Sequence, residues 1–480
     1  MVNGYIPQAQ RKKILFLCDD IRMTSGISTM AREIVIGTAH KFNWVNLGGA
    51  INHPEQGRRL DVSQDTNNIA GIKDASIFIY PINGYGSPEA VRQLIEIENP
   101  DAIMFFTDPR YWIWLFQMEN EIRRKIPMIY LNIWDDLPAP LYNKAYYESC
   151  DTLMAISKQT LNINRMVLGD KAKNKILRYV PHGINEKTFF PITEFMKAEN
   201  ELLANKKKEI FGDFDPEFVV FYNARNIRRK STSDLIAAYA VFCDSIGKEK
   251  ASKCALLLHT QIADENGTDL NVVKDLLCDS DYQKVFFSDA RLGADQVNAL
   301  YNMSDVTCLI SSNEGWGLSL TEAMMTGRMI IGNVTGGMQD QMRFEDQNGK
   351  WIDFNDKFCS NHFGRYKKHG DWAIPVFPNN MSIVGSIPTP YIFDDRCDFR
   401  EVAAAIEKVY NMSPEERKAL GMKAREWVLS EESMMSAKHM CDNVISTIED
   451  TLSSFKPRKS FELIKTEKLT RKKIVHPLVY

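Results

Sequence analysis

The sequence predicts an α/β chain of two Rossmann-like domains facing a cleft. Three observations lead there. The 480 residues exceed what one ordinary core holds. Short apolar runs alternate with helical patterns in two separate cycles, and a Lys- and Glu-rich stretch interrupts the rhythm between them. Composition adds little: 44% hydrophobic and 25% charged residues make an ordinary globular balance, and a net charge of -3 selects no class of partner. The nine cysteines are scattered singly, with no CxxC pair and no cluster near histidines. That argues against a zinc site and fits a reducing cytosol. The polar start MVNGYIPQAQRKK does not read as a signal peptide. No run approaches the ~20 apolar residues of a membrane span, so no transmembrane segment is expected and the expected location is the cytoplasm.

The first cycle occupies residues 1–185. Ile14 to Cys18 reads as a strand and Gly26 to Thr38 as a helix. Ser76 to Ile82 and Ala102 to Phe106 read as strands, Tyr111 to Arg124 as helical, and Pro127 to Ile133 and Thr152 to Ile156 as strands. Residues 186–216 read as the linker. The second cycle, 217–430, has strand candidates at Phe218 to Tyr222, Ala255 to His259, Val285 to Ser288, Val306 to Ile310 and Met329 to Ile331. Such a rhythm implies parallel sheets covered by helices, which bind ligands outside the carboxyl ends of their strands. Residues 343–397 are irregular and read as a loop insertion, a candidate lid. Helices close the chain, Ser413 to Ser430 among them, and 431–480 reads as a terminal helix and basic tail. From Thr451 to Tyr480 there are eight Lys or Arg against two Glu, a net of +6, so the other 450 residues carry -9. The tail is either a solvated face or an electrostatic contact with nucleic acid or an anionic membrane surface.

The chemistry concentrates in SDVTCLISSNEGWGLSLTEAMMTGRMIIG, Ser304 to Gly332. An apolar strand ends at Ser311 and Ser312, a turn carries Gly315 and Gly317, and a helix begins near Leu318. Backbone N–H groups are thereby left free at a helix start, where a diphosphate can sit. Glu314 lies in the turn and Glu322 in the helix, with seven residues between them. Their oxygens accept hydrogen bonds from sugar hydroxyls.

This segment resembles the E-x7-E signature of retaining GT-B glycosyltransferases, those like glycosyltransferase family 4. The resemblance implies that Glu314 faces the transferred sugar and Glu322 binds the nucleotide ribose. FYNARNIRRKSTSDLIAAY resembles the family's Gly-Arg strand end followed by Lys. Arg225 and Lys230 match its two basic positions on the donor pyrophosphate, with Ala224 where Gly is usual. Arg228 and Arg229 are read as solvated. PHGINEKTFFP resembles the signature closing the first domain, with a turn at Gly183, an apolar anchor at Phe190 and His182 as a junction residue. DDIRMTSGISTMAREI resembles the glycine loop after the first strand, which assigns Gly26 to the donor phosphates, and Gly336 and Gly337 match the family's Gly-Gly turn.

The first domain departs from the pattern. Many relatives carry a histidine after the strand matching MIYLNIWDD, where this sequence has Trp134, then Asp135 and Asp136. Asp108 ends an earlier strand. A carboxylate at such a tip can accept a proton from an acceptor hydroxyl or orient it, so Asp108 and Asp135 are the acceptor-side candidates. Each could instead cap the following helix. The expected reaction is retaining transfer, hexosyl or pentosyl, from a nucleotide-diphosphate sugar of the UDP type. No metal-ligand cluster or Asp-x-Asp pair sits near a strand end of the second domain, so no bound metal or other cofactor is required, and no strong base is needed if the leaving diphosphate itself takes the acceptor proton.

FFTDPRYWIWLFQMENEIRR and IWDDLPAPLYNKAYYESCD resemble tailed-phage glycosyltransferases. That implies a hydroxymethylated base in DNA as the favoured acceptor, with Tyr111, Trp112, Trp114 and Phe116 as the nearby aromatics, and the host cytoplasm as the location. The alternatives are cell-surface polysaccharide or glycolipid synthesis with a peripheral membrane contact, a nucleotide-sugar epimerase, and a non-catalytic sugar-nucleotide binder.

Overall fold

Strand β1, Lys12–Asp19, shows why the apolar runs become strands: Ile14 through Cys18 have no solvent exposure on either face. A parallel strand covered by helices on both sides must be apolar along its whole length. The computed structural model describes residues 4–50 and 52–459. After β1 the first domain adds β2 (Phe42–Gly49), β3 (Leu60–Asp61), β4 (Ile77–Pro81), β5 (Ala102–Phe106), β6 (Met128–Asn132), β7 (Thr152–Ala155) and β8 (Ile176–Tyr179). They form an eight-stranded sheet in the order β3-β4-β2-β1-β5-β6-β7-β8, parallel except for β3 against β4. The second domain places β9 (Phe218–Asn223), β10 (Cys254–His259), β11 (Val285–Ser288), β12 (Val306–Leu309), β13 (Met329–Asn333) and β14 (Ala373–Val376) in the order β11-β10-β9-β12-β13-β14. Each order reverses at one place, between β1 and β5 and between β9 and β12. A crevice opens at such a switch point, and the loops after β1, β5, β6, β9 and β12, with the helices that follow β1 and β12, carry the site residues expected from the sequence.

Three stretches fold differently from the expectation. Within 186–216 lies a helix, Lys197–Phe211, whose Phe211 ring packs 4.9 Å from Phe286 of β11. Apart from the buried Lys206, its charged residues lie toward solvent on an amphipathic helix, so this part of the stretch is a layer of the second domain. The helical pattern from Tyr111 to Arg124 breaks into a short 3-10 turn, Pro109–Trp112, and two short helices, Ile113–Gln117 and Glu119–Ile122. Finally, 343–397 is more ordered than its composition suggests. It supplies β14 and an antiparallel hairpin, β15 (Asn380–Ser386) with β16 (Thr389–Arg396).

That hairpin spans the two domains. At its root Asp395 donates its amide to Ser312 O at 3.0 Å and accepts from Thr335 Oγ1 at 2.7 Å. Farther out, Phe393 donates to Leu137 O at 2.6 Å, Tyr142 OH to Tyr391 O at 2.9 Å, and Arg110 Nη1 to Thr389 Oγ1 at 3.0 Å. The closing helix Ala437–Ser454 also crosses back to the first domain, where Thr451 Oγ1 and Thr152 Oγ1 lie 2.7 Å apart. Gly183 sits where any Cβ would collide with the Ser436 carbonyl, which explains the glycine at this junction. The neighbouring anchor is Phe189 rather than Phe190. Phe189 packs on Tyr301 with ring centroids 5.9 Å apart, while Phe190 is held through its amide, which donates to Asn298 Oδ1 at 3.1 Å. The tail from 460 to 480, most of the expected +6 segment, lies outside the described residues.

Candidate active site

Glu314 sits at the centre of the cleft, with 6% of its surface exposed. It follows β12 in a turn whose backbone is fixed from below: Gly337 donates its amide to Glu314 O at 2.9 Å. A Cβ on Gly336 would strike the Glu314 carbonyl, and one on Gly337 would strike that of Gly315. The Gly-Gly pair is therefore a matter of backbone approach. Gly315 faces the other domain, where a Cβ would lie 3.0 Å from Ile133 O, beside the end of β6. Gly317 adopts a left-handed φ of 87°, which a residue with a side chain resists, and starts the helix Leu318–Met325. The Leu318 and Ser319 amides of that helix meet no acceptor among the described residues. Gly26, which opens helix Gly26–Thr38 of the first domain, lies opposite: its Cβ would sit 3.2 Å from Leu318 Cδ1. Residues distant in sequence thus line the same crevice.

The Glu314 carboxylate accepts from Lys230 Nζ at one oxygen and from Arg229 Nη1 at the other. Burial pushes this carboxyl up, but the two cations outweigh it and hold it down at about 2. Glu314 is ionised at any physiological pH. Burial pushes the Lys230 ammonium down, against the pull of Glu314. Arg229 is further tied to the turn by donating to Asn313 O at 2.8 Å, while its own carbonyl accepts from the Ser312 amide at 2.8 Å. Expected to be solvated, Arg229 in fact retains 40% side-chain exposure with its guanidinium on the central carboxylate. The sequence held no signal for this, because three adjacent basic residues, Arg228 to Lys230, look alike until a backbone turn separates them. Arg225, expected on the pyrophosphate, points elsewhere. Its guanidinium pairs with Asp264 on the loop after β10, at 2.6 Å and 3.2 Å, and its side chain is 59% exposed.

Glu322 accepts from Tyr301 OH at 2.6 Å, and Asn223 Nδ2 lies 3.5 Å away. Burial pushes its carboxyl up to about 7, only partly opposed by the tyrosine. This gives a prediction. The unfolded chain ionises Glu322 in the ordinary carboxyl range, whereas the folded chain holds the proton until about 7. Stability is therefore lost as pH rises across that window and the loss levels off above it. Glu322→Gln should lack this loss, so the melting temperature of the variant relative to the parent should rise between pH 5 and 8. A constant difference across that range contradicts the assignment.

On the first-domain side, Asp108 binds its neighbour: Arg110 donates to it from the amide at 2.9 Å and from Nη2 at 2.6 Å. Its carboxylate caps the turn Pro109–Trp112. Asp135 and Asp136 follow β6 and face Arg229. Burial pushes both carboxyls up, their mutual repulsion adds to the rise at Asp136, and Arg229 opposes it. His182 lies 5.8 Å from Phe106 and 6.3 Å from Trp316, ring to ring, and burial pushes it down to about 3. It is a neutral packing residue at the domain junction. Of the aromatic stripe, Trp112 and Phe116 are core at 1% and 4% exposure, whereas Tyr111 is 49% exposed and stacks on Tyr85 at 4.3 Å.

Residues 204–358 match the family model of glycosyl transferases group 1. The chain is 26% identical over 282 residues to the N-acetyl-alpha-D-glucosaminyl L-malate synthase of Bacillus anthracis, covering 57% of this chain and 67% of that one. A stretch of 49 residues is 45% identical to the trehalose synthase of Pyrococcus horikoshii, 10% of this chain and 12% of that one. Among solved structures, Anabaena HepE in complex with UDP and glucose superposes with a TM-score of 0.61 at 12% identity, covering 92% of this chain and 100% of that one. Sucrose-phosphate synthase from Thermosynechococcus elongatus gives 0.62 at 15% identity, with 92% and 100% covered. The fold is GT-B.

Proposed function

We propose that this chain, a glycosyltransferase enzyme, transfers a sugar from a nucleoside-diphosphate donor, UDP-linked, to an acceptor hydroxyl with retention of configuration. The observation that carries the reading is the ionised Glu314 held between Arg229 and Lys230 at the start of helix Leu318–Met325. Cations and helix amides there meet the negative charge that grows on a departing diphosphate. Glu322, deeper along the same helix, is placed for the nucleoside hydroxyls. The HepE complexes, which hold UDP and glucose or UDP-glucose, support a donor of this kind. Retention is supported by the acceptor side. His182 is buried and neutral, and Asp108 is occupied by Arg110, so neither stands as a strong base for attack from the opposite face. Asp135 remains the residue proposed to orient the acceptor, and no resident metal or other cofactor is proposed.

The favoured acceptor is a hydroxyl of a small molecule or a growing glycan, as the names of the relatives suggest. A DNA base is the second reading. It keeps the exposed Tyr111 as a stacking surface but loses Trp112 and Phe116 to the core. Release of nucleoside diphosphate from a panel of donors, with the anomeric configuration of the product read by NMR, tests the reaction; an inverted product overturns retention. Hydroxymethylated duplex DNA offered beside simple polyols decides the acceptor class. Within this reading, Glu322→Ala should raise the donor KM with little change in kcat, because a nucleoside contact is equally present in ground and transition states. A fall in kcat at unchanged KM would contradict the role.

A further inference from the structure

We infer that Arg229, rather than Arg225, joins Lys230 in holding the donor diphosphate, an assignment that rests on the donor reading above. The inference starts from where the two guanidinium groups are anchored. Arg225 is engaged by both oxygens of Asp264, on a loop that also fixes Asn226, whose Nδ2 donates to Ile262 O at 3.1 Å and Thr268 O at 2.6 Å. For Arg225 to reach the Glu314 turn it would have to abandon a bidentate pair. Arg229 is already there. The 3-10 turn Arg228–Lys230 lies along the end of β12, with the Ser312 amide on the Arg229 carbonyl, so Arg229 and Lys230 project onto opposite oxygens of one carboxylate. Ser231, with a left-handed φ of 53°, reverses the chain immediately afterwards and begins helix Thr232–Ile246.

Charge explains why this pair can accept a diphosphate without releasing Glu314. Two cations share one carboxylate, which leaves an excess positive charge at the turn that leads into helix Leu318–Met325. Asp135 and Asp136 also face Arg229 from the first domain. Burial pushes both carboxyls up, which weakens the opposition they set against an incoming anion. Among the described residues Arg229 is the one guanidinium that donates to Glu314, and its charge also bears on the acceptor-side carboxyl pair. Arg225 shares none of these neighbours among its hydrogen bonds.

The test is calorimetric titration of the full chain with UDP, and with GDP if UDP gives no heat, on Arg229→Ala, Arg229→Lys, Arg225→Ala and Lys230→Ala. Melting curves establish that each variant is folded. Arg229→Ala and Lys230→Ala should each weaken binding about thirtyfold or more, the lower end of the scale for truncating one member of a hydrogen-bonded charge contact. Arg229→Ala should weaken it at least about tenfold more than Arg225→Ala, with Arg229→Lys between them, because lysine keeps the charge but not the fork. Arg225→Ala weakening UDP as much as Arg229→Ala, or Arg229→Ala binding like the parent while Lys230→Ala does not, overturns the inference and leaves the donor reading intact. Parent-like binding in both Arg229→Ala and Lys230→Ala overturns the donor reading itself.

Discussion

Glu314→Gln is expected to lower turnover by about a hundredfold or more, the usual scale for removing one preorganised electrostatic contact to a transition state. The structure adds a second expectation that separates chemistry from binding. In the parent, Glu314 occupies both Lys230 and Arg229. An amide in its place leaves these cations under-neutralised, so they are freer to meet phosphate oxygens. Affinity for nucleoside diphosphate should be unchanged or higher while the maximal rate collapses. Steady-state release of nucleoside diphosphate and titration with UDP read the two quantities separately. Parent-like turnover would place the transferred sugar elsewhere. A parallel loss of rate and affinity would make Glu314 a binding group only.

Gly337→Ala is the second large effect. The backbone here is in an ordinary region, so the alanine is not strained by its dihedral angles; the obstacle is contact. The new methyl group would meet the Gly315 carbonyl and the Trp316 Cα, which are backbone atoms that cannot rotate away. The turn holding Glu314 must then lift off the loop after β13. Overpacking of this kind costs roughly 1–3 kcal/mol. A displacement of about 1 Å at a reacting group can lower a rate by about a hundredfold. Gly337→Ala should therefore melt earlier and turn over far more slowly, while Gly349→Ala should not slow turnover. Gly349 lies in an exposed turn away from Glu314; its left-handed φ of 76° makes alanine costly to stability there, but only the Glu345 carboxylate stands near a Cβ, at 3.8 Å. Full activity in Gly337→Ala would show that the two loops do not depend on each other.

What the sequence determined by itself was the periodicity and the ends of strands. β5 was legible from residue to residue, and β1, β9, β10 and β12 nearly so, because a strand covered on both faces must be apolar throughout. Glu314 and Glu322 were singled out because a strand, a glycine turn and a helix start put chemistry at fixed spacings, and Lys230 through the resemblance of its stretch to the family's Arg and Lys pair; the structure sets Lys230 on Glu314. β2 was not, because Asn46 interrupts its apolar pattern. That asparagine is buried only because its Nδ2 donates to Phe16 O at 3.1 Å, across in β1. β14 and the hairpin β15–β16 were hidden in a stretch rich in Asn, Gly and Pro. The hairpin bonds to Ser312, Leu137 and Tyr142, none of them near it in the chain.

The division is sharpest at the basic residues after β9. Arg225, Arg228, Arg229 and Lys230 carry the same charge, and the family's spacing points to Arg225 and Lys230. Which of them meets Glu314 depends on a 3-10 turn, on Asp264 arriving from the loop after β10, and on the Ser312 amide reaching Arg229 O. Local sequence sets where a charge can be. Only the packing of two loops from different strands sets which charge loses its water and gains a partner, and that step gives a surface arginine a place in the cleft.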